Sequence, residues 1–64
     1  MDRALREIVE KLLLIDSPTR TDLDGVKIEV ARAHGLPQIP RNSEILATLN
    51  VEEAEILLPA VRVI

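Results

Sequence analysis

The chain has 64 residues, no Cys, Phe, Tyr or Trp, and 8 basic against 11 acidic residues, for a net charge of −3. That length supports one small domain that buries about 60% of its unfolded surface around an aliphatic core, and the missing thiols exclude disulfides and thiolate metal sites. The negative balance argues against a free-standing nucleic-acid binder, which is usually basic.

Leu5, Ile8, Val9, Leu12 and Leu13 recur at three- and four-residue steps, while Arg3, Arg6, Glu7, Glu10 and Lys11 fill the other face. This periodicity predicts an amphipathic helix over residues 2–15. Glu7 and Lys11 stand in the favourable i, i+4 order. Leu12-Leu13-Leu14-Ile15 is far too short to span a bilayer and no targeting segment is recognisable, so the expected compartment is the cytoplasm and no membrane partner is expected.

Asp16-Ser17-Pro18-Thr19 breaks the pattern. A second helix is predicted from Thr21 as its cap, with Asp22 and Asp24 in the first turn where the dipole favours carboxylates. Gly25 weakens that turn. Leu23, Val26, Val30 and Ala33 line one stripe, Ile28 falls outside it, and Gly35 supplies the left-handed residue that ends the helix. His34 is placed at the last turn, near Leu23 and Val30.

Pro37 and Pro40 hold the next segment extended, because each fixes its own φ and restricts its predecessor. A short third helix is expected over residues 43–49, capped by Asn42 or Ser43. The fourth starts from Asn50, with Glu53 at the capping-box position. Val51, Ala54, Leu57 and Leu58 are expected to face inward and Pro59 to help end the helix. The expected fold is therefore all-α, a small bundle of three to four short helices with an extended C-terminal tail. Residues 1–59 form a helical accessory domain, and residues 60–64 begin a linker or strand. The apolar ending Val61-Arg62-Val63-Ile64 suggests a truncated parent protein.

Catalytic chemistry is not expected from these residues. There is no cysteine nucleophile, no glycine-rich phosphate loop and no serine set with a histidine and a carboxylate. Glu52, Glu53 and Glu55 read as a solvated helix face, and no metal site is expected. Charge is uneven, though: residues 17–41 sum to +1 and residues 42–64 to −3. A polyanion would meet the middle of the chain.

Arg41 stands out there, because a cation before a helix N-terminus is the wrong sign for the dipole. An arriving phosphate reverses that, shared between the guanidinium and the backbone N–H groups of Ser43 and Glu44. Lys27, Arg32 and Arg20 extend the track, interrupted by Asp24 and Glu29, and His34 is a further candidate for RNA contact. The two predicted helices around the connector loosely resemble a helix-turn-helix. The connector is too long for the usual three- to four-residue turn, and the following helix offers few polar readers, so DNA is not an expected partner.

From about residue 26 onward the chain resembles the N-terminal region of the Elongator catalytic subunit family, the tRNA wobble-uridine acetyltransferases. The resemblance rests on the Gly35-Leu36 stop, Pro40-Arg41, the Ile45-Leu46-Ala47 helix, and Leu57-Leu58-Pro59 leading into Val61-Arg62-Val63. It departs from the family pattern at Ala33 and His34, where a basic and an aromatic residue are usual, and at Ala60 and Arg62, where lysines are common. The resemblance implies a parent protein that uses acetyl-CoA, S-adenosylmethionine and an iron–sulfur cluster, bound by catalytic domains outside this chain. It also implies that this region carries no cofactor or catalysis of its own and helps to hold tRNA. The rival expectation is an interaction module that docks onto other domains or a protein partner through Ile28 and the acidic fourth helix, without touching RNA.

Overall fold

A computed structural model describes residues 2–62, which form four helices: α1 (Arg3–Leu13), α2 (Arg20–Ala33), α3 (Asn42–Thr48) and α4 (Val51–Val61). The all-α class is as expected, and the helix ends explain the arrangement. Asp2 caps α1, its Oδ1 accepting the Ala4 N–H at 2.9 Å. Two residues past the end of that helix, the Ile15 N–H donates back to the Leu12 carbonyl at 3.1 Å, which closes the last turn.

The start of α2 differs from expectation. Its cap is Thr19, not Thr21: the Asp22 N–H donates to Thr19 Oγ1 at 3.2 Å, and the Thr19 N–H to Asp22 Oδ2 at 2.8 Å. Thr19 and Thr21 are each followed three residues later by an aspartate, so local chemistry alone does not choose between them. At the other end Gly35 adopts φ 64°. The Leu36 N–H then reaches the Ala31 carbonyl at 2.9 Å and the Gly35 N–H reaches Arg32 at 3.2 Å, a Schellman motif that turns the chain. Leu36 packs back on the core, as such motifs favour.

α1 and α2 run antiparallel. Lys11 Nζ pairs with Glu29 Oε2 at 3.1 Å, and Glu7 Oε1 with His34 Nε2 at 3.1 Å, so stepping back along α1 moves forward along α2. These cross-helix pairs replace the Glu7–Lys11 pair expected along α1. The core consists of Ile8, Val9 and Leu12 from α1, Leu23, Val26 and Val30 from α2, Ile45 from α3, and Leu57 and Val61 from α4. Ala33 is exposed and Ala31 buried, the reverse of the expected stripe.

Asn50 and Glu53 form the expected capping box of α4. Pro59 does not end that helix, which continues to Val61. Proline at this late turn removes one donor on an exposed side, while Arg62 N–H still reaches the Leu58 carbonyl at 2.8 Å. The extra turn brings Ala60 and Val61 into the core and leaves Val51 76% exposed, so Val51 does not face inward as expected. Residues 60 and 61 are therefore helical rather than an extended tail; Arg62 leaves the helix in extended conformation, and Val63 and Ile64 lie outside the described residues.

One ion pair joins the first helix to the start of the last. Arg6 donates to both carboxylate oxygens of Glu53, at 3.0 and 2.9 Å, and to the Thr48 carbonyl at 3.4 Å. The bidentate hydrogen bond from Arg6, aided by the Asn50 N–H, holds the Glu53 carboxyl below its ordinary range, and the same bond raises the Arg6 guanidinium. Glu53 is thus turned inward, away from the solvated face on which it was expected. The radius of gyration is 10.7 Å, matching the roughly 11 Å of a well-packed chain of this length.

Candidate functional site

The segment between α2 and α3 carries the chemistry worth weighing. Gly35 sets its direction, Pro37 and Pro40 keep it extended, and Ile39 stands half exposed upon it. Two shallow grooves flank it. One, of about 390 Å³, is bounded by Arg41 and Glu44 at the start of α3 and by Asp2. The other, of about 220 Å³, is bounded by Ile28, Ala31 and Arg32 of α2. Leu36, Pro37, Gln38 and Ile39 belong to both walls.

The expected cations divide around this ridge. Arg41 is itself the N-cap residue of α3, in extended conformation, rather than the residue before an Asn42 or Ser43 cap. Lys27 meets α3 one residue further on, where its Nζ donates to Asn42 Oδ1 at 2.7 Å. Asn42 also donates from Nδ2 to the Val61 carbonyl at 3.4 Å, so one side chain joins α2, α3 and the end of α4. Arg32 is roughly 140° around the α2 axis from Lys27 and stands beside the other groove. Among the described residues no ion pair involves Arg32, Arg41 or Lys27.

Arg20 and His34 are not part of this cluster. Arg20 begins α2, about 18 Å along the axis from Arg32, and meets Asp24 Oδ1 at 3.6 Å. His34 is tied to Glu7 on α1 rather than packed toward Leu23. The expected phosphate nest also needs correcting. The Glu44 N–H is committed to the Arg41 carbonyl at 3.0 Å, and the Glu44 carboxylate accepts the Arg41 N–H at 2.8 Å. A carboxylate already occupies that helix start, and the Glu44 N–H is not free for a phosphate.

Asn42 is the residue that sequence reasoning undervalued. It was expected only as a cap, whereas its side chain holds Lys27 at the start of α3. No local pattern signals this, since the partners come from three helices. Among the described residues, no group of three or more His, Cys, Asp or Glu side chains is arranged to hold a metal ion, and no helix is long and apolar enough to cross a membrane.

Fold and site together define a small all-helical domain with a proline-stiffened connector flanked by Arg41 and Arg32. Residues 1–63 match the family described as the ELP3 N-terminal domain, and the chain belongs to that family. No curated protein and no solved structure matches it significantly.

Proposed function

We propose that the chain is a non-catalytic helical domain of a tRNA wobble-uridine acetyltransferase and that it helps to hold tRNA along the connector face. The observation that carries this reading is the gathering of cations around the connector: Arg41 bounds one groove, Arg32 bounds the other, Asn42 holds Lys27 at the start of α3, and among the described residues none of the three side chains makes an ion pair. Three such cations would contact phosphates and follow the shape of the backbone, without reading base edges. Arg20 and His34 are secondary candidates, each of which must first leave a pair that contributes about 0–1 kcal/mol. Family membership supports the parent activity.

Acetyl-CoA, S-adenosylmethionine and an iron–sulfur cluster belong, on this reading, to catalytic domains of the same parent protein in the cytoplasm. The residues of this chain do not fit the cluster, since there is no cysteine to ligate it. This domain supplies position and charge. Labelled tRNA titrated at several salt concentrations tests the reading. Neutralising two to three phosphates gives a log–log slope of about −2 to −3. Arg41→Glu weakens binding several-fold and makes the slope shallower, whereas affinity unchanged in that variant removes Arg41 from the interface.

A further inference from the structure

The outer face of α4 is not packed in the bundle and carries none of the cations of the RNA reading. Val51, Glu52, Glu55, Ile56 and Pro59 share one exposed stripe, with Val51 76% and Ile56 55% exposed. Val51 and Glu55 are neighbours at i, i+4, as are Glu52 and Ile56, so the stripe alternates aliphatic and anionic groups one turn apart. Among the described residues Glu52 and Glu55 accept no side-chain hydrogen bond and make no ion pair. Glu53, between them, is instead turned inward to Arg6. The other exposed aliphatic side chains, Leu14 after α1, Ile28 on α2 and Ile39 in the connector, stand apart from this stripe.

From this we infer that the outer face of α4 docks a cationic amphipathic polypeptide segment, with Lys or Arg side chains one turn apart meeting Glu52 and Glu55 and aliphatic side chains covering Val51 and Ile56. The sign of the charge selects the occupant. Nucleic acid and anionic bilayers are repelled by the two carboxylates, and a free cation would leave the aliphatic groups in water. A symmetric pairing of two copies would set Glu52 and Glu55 against their own equivalents. A head-to-tail pairing onto Arg32 would not close and would grow into filaments. The inference is independent of the RNA reading, because it uses the opposite charge on a different element.

The test is an amide chemical-shift titration of the whole chain with a synthetic helical peptide of leucine and lysine, its lysines one turn apart. A scrambled peptide of equal composition and tRNA serve as comparison ligands. The inference predicts shifts confined to residues 51–59 and binding about tenfold tighter than for the scrambled peptide. It also predicts a loss of about tenfold in the Glu52→Lys, Glu55→Lys double variant, and a weaker loss in the charge-neutral Glu52→Gln, Glu55→Gln pair. Circular dichroism of the Gln pair should match the parent, since neither side chain has a partner to lose, while the Lys pair should keep the fold with a slightly lower melting temperature, because Glu52 stands in the first turn of α4. Equal binding of the scrambled peptide, shifts centred elsewhere, tRNA shifting residues 51–59, or affinity unchanged by the variants would each overturn it. Self-association of the free chain that Ile56→Ser abolishes would also overturn it, giving the face to a second copy.

Discussion

Replacing Ile45 with alanine tests how α3, and with it Arg41, is held in place. Ile45 is fully buried and is the one core residue that α3 contributes. The substitution removes about three methyl or methylene groups, worth about 0.8 kcal/mol each in transfer free energy. The space left behind adds a cavity cost, for a total of about 3–4 kcal/mol. Against the roughly 3–10 kcal/mol expected of a whole domain this small, that loss is severe. At about 4–8 °C per kcal/mol it lowers the melting temperature by roughly 12–32 °C. With no aromatic residue in the chain, the assay is urea and thermal unfolding followed by far-ultraviolet circular dichroism. Ala47→Ser on the exposed side of the same helix is the control, expected to change stability by less than about 0.5 kcal/mol. A fall below about 5 °C for Ile45→Ala would refute the reasoning, because α3 would then not depend on its buried side chain.

The two glycines respond in opposite directions to alanine. Gly25→Ala, inside α2 with nothing within 4 Å of an added Cβ, stabilises by about 0.5–1 kcal/mol. Gly35→Ala is equally free of clashes but must hold φ +64°, so it destabilises by about 1–2 kcal/mol through the backbone alone; the melting temperatures of the two variants should bracket that of the parent. Glu53 gives a pH dependence. Its folded carboxyl lies below the usual range, so its contribution is complete above the unfolded value of about 4.3 and is lost as pH falls through the lower folded value. In Glu53→Gln the difference in stability from the parent, measured by urea unfolding, should therefore be constant near neutral pH and shrink below about pH 4. A difference that grows on acidification would contradict the Arg6–Glu53 geometry. Asn42→Ala should release Lys27 and weaken tRNA binding while Ile45 keeps α3 folded, read by titration and circular dichroism together.

What the sequence made legible was what residues determine within a few positions of themselves. The capping box of Asn50 and Glu53 and the Gly35 stop are satisfied by neighbours along the chain, and both stand where their chemistry placed them. Thr19 and Thr21 offered equivalent caps, and the choice of Thr19 lets Arg20 enter α2 and meet Asp24. The end of α4 was misjudged because proline is costly in a helix interior, yet burial of Ala60 and Val61 outweighs one missing hydrogen bond on an exposed face. Ion pairs were the least legible. Glu7 and Lys11 had good partners in each other, but packing against α2 offered His34 and Glu29. At the candidate site, Arg41 could be singled out by its odd position before a helix. The tie of Lys27 to Asn42 at the same helix start could be seen only once three helices were in place.

The claim that RNA is held at the connector face is tested most directly by mapping amide chemical shifts of the whole chain as tRNA is added at low salt. The account predicts changes at Lys27, Arg32 and residues 36–42, fading as salt is raised, with residues 51–59 unmoved. No change at any salt concentration, or changes centred on α4, would contradict it.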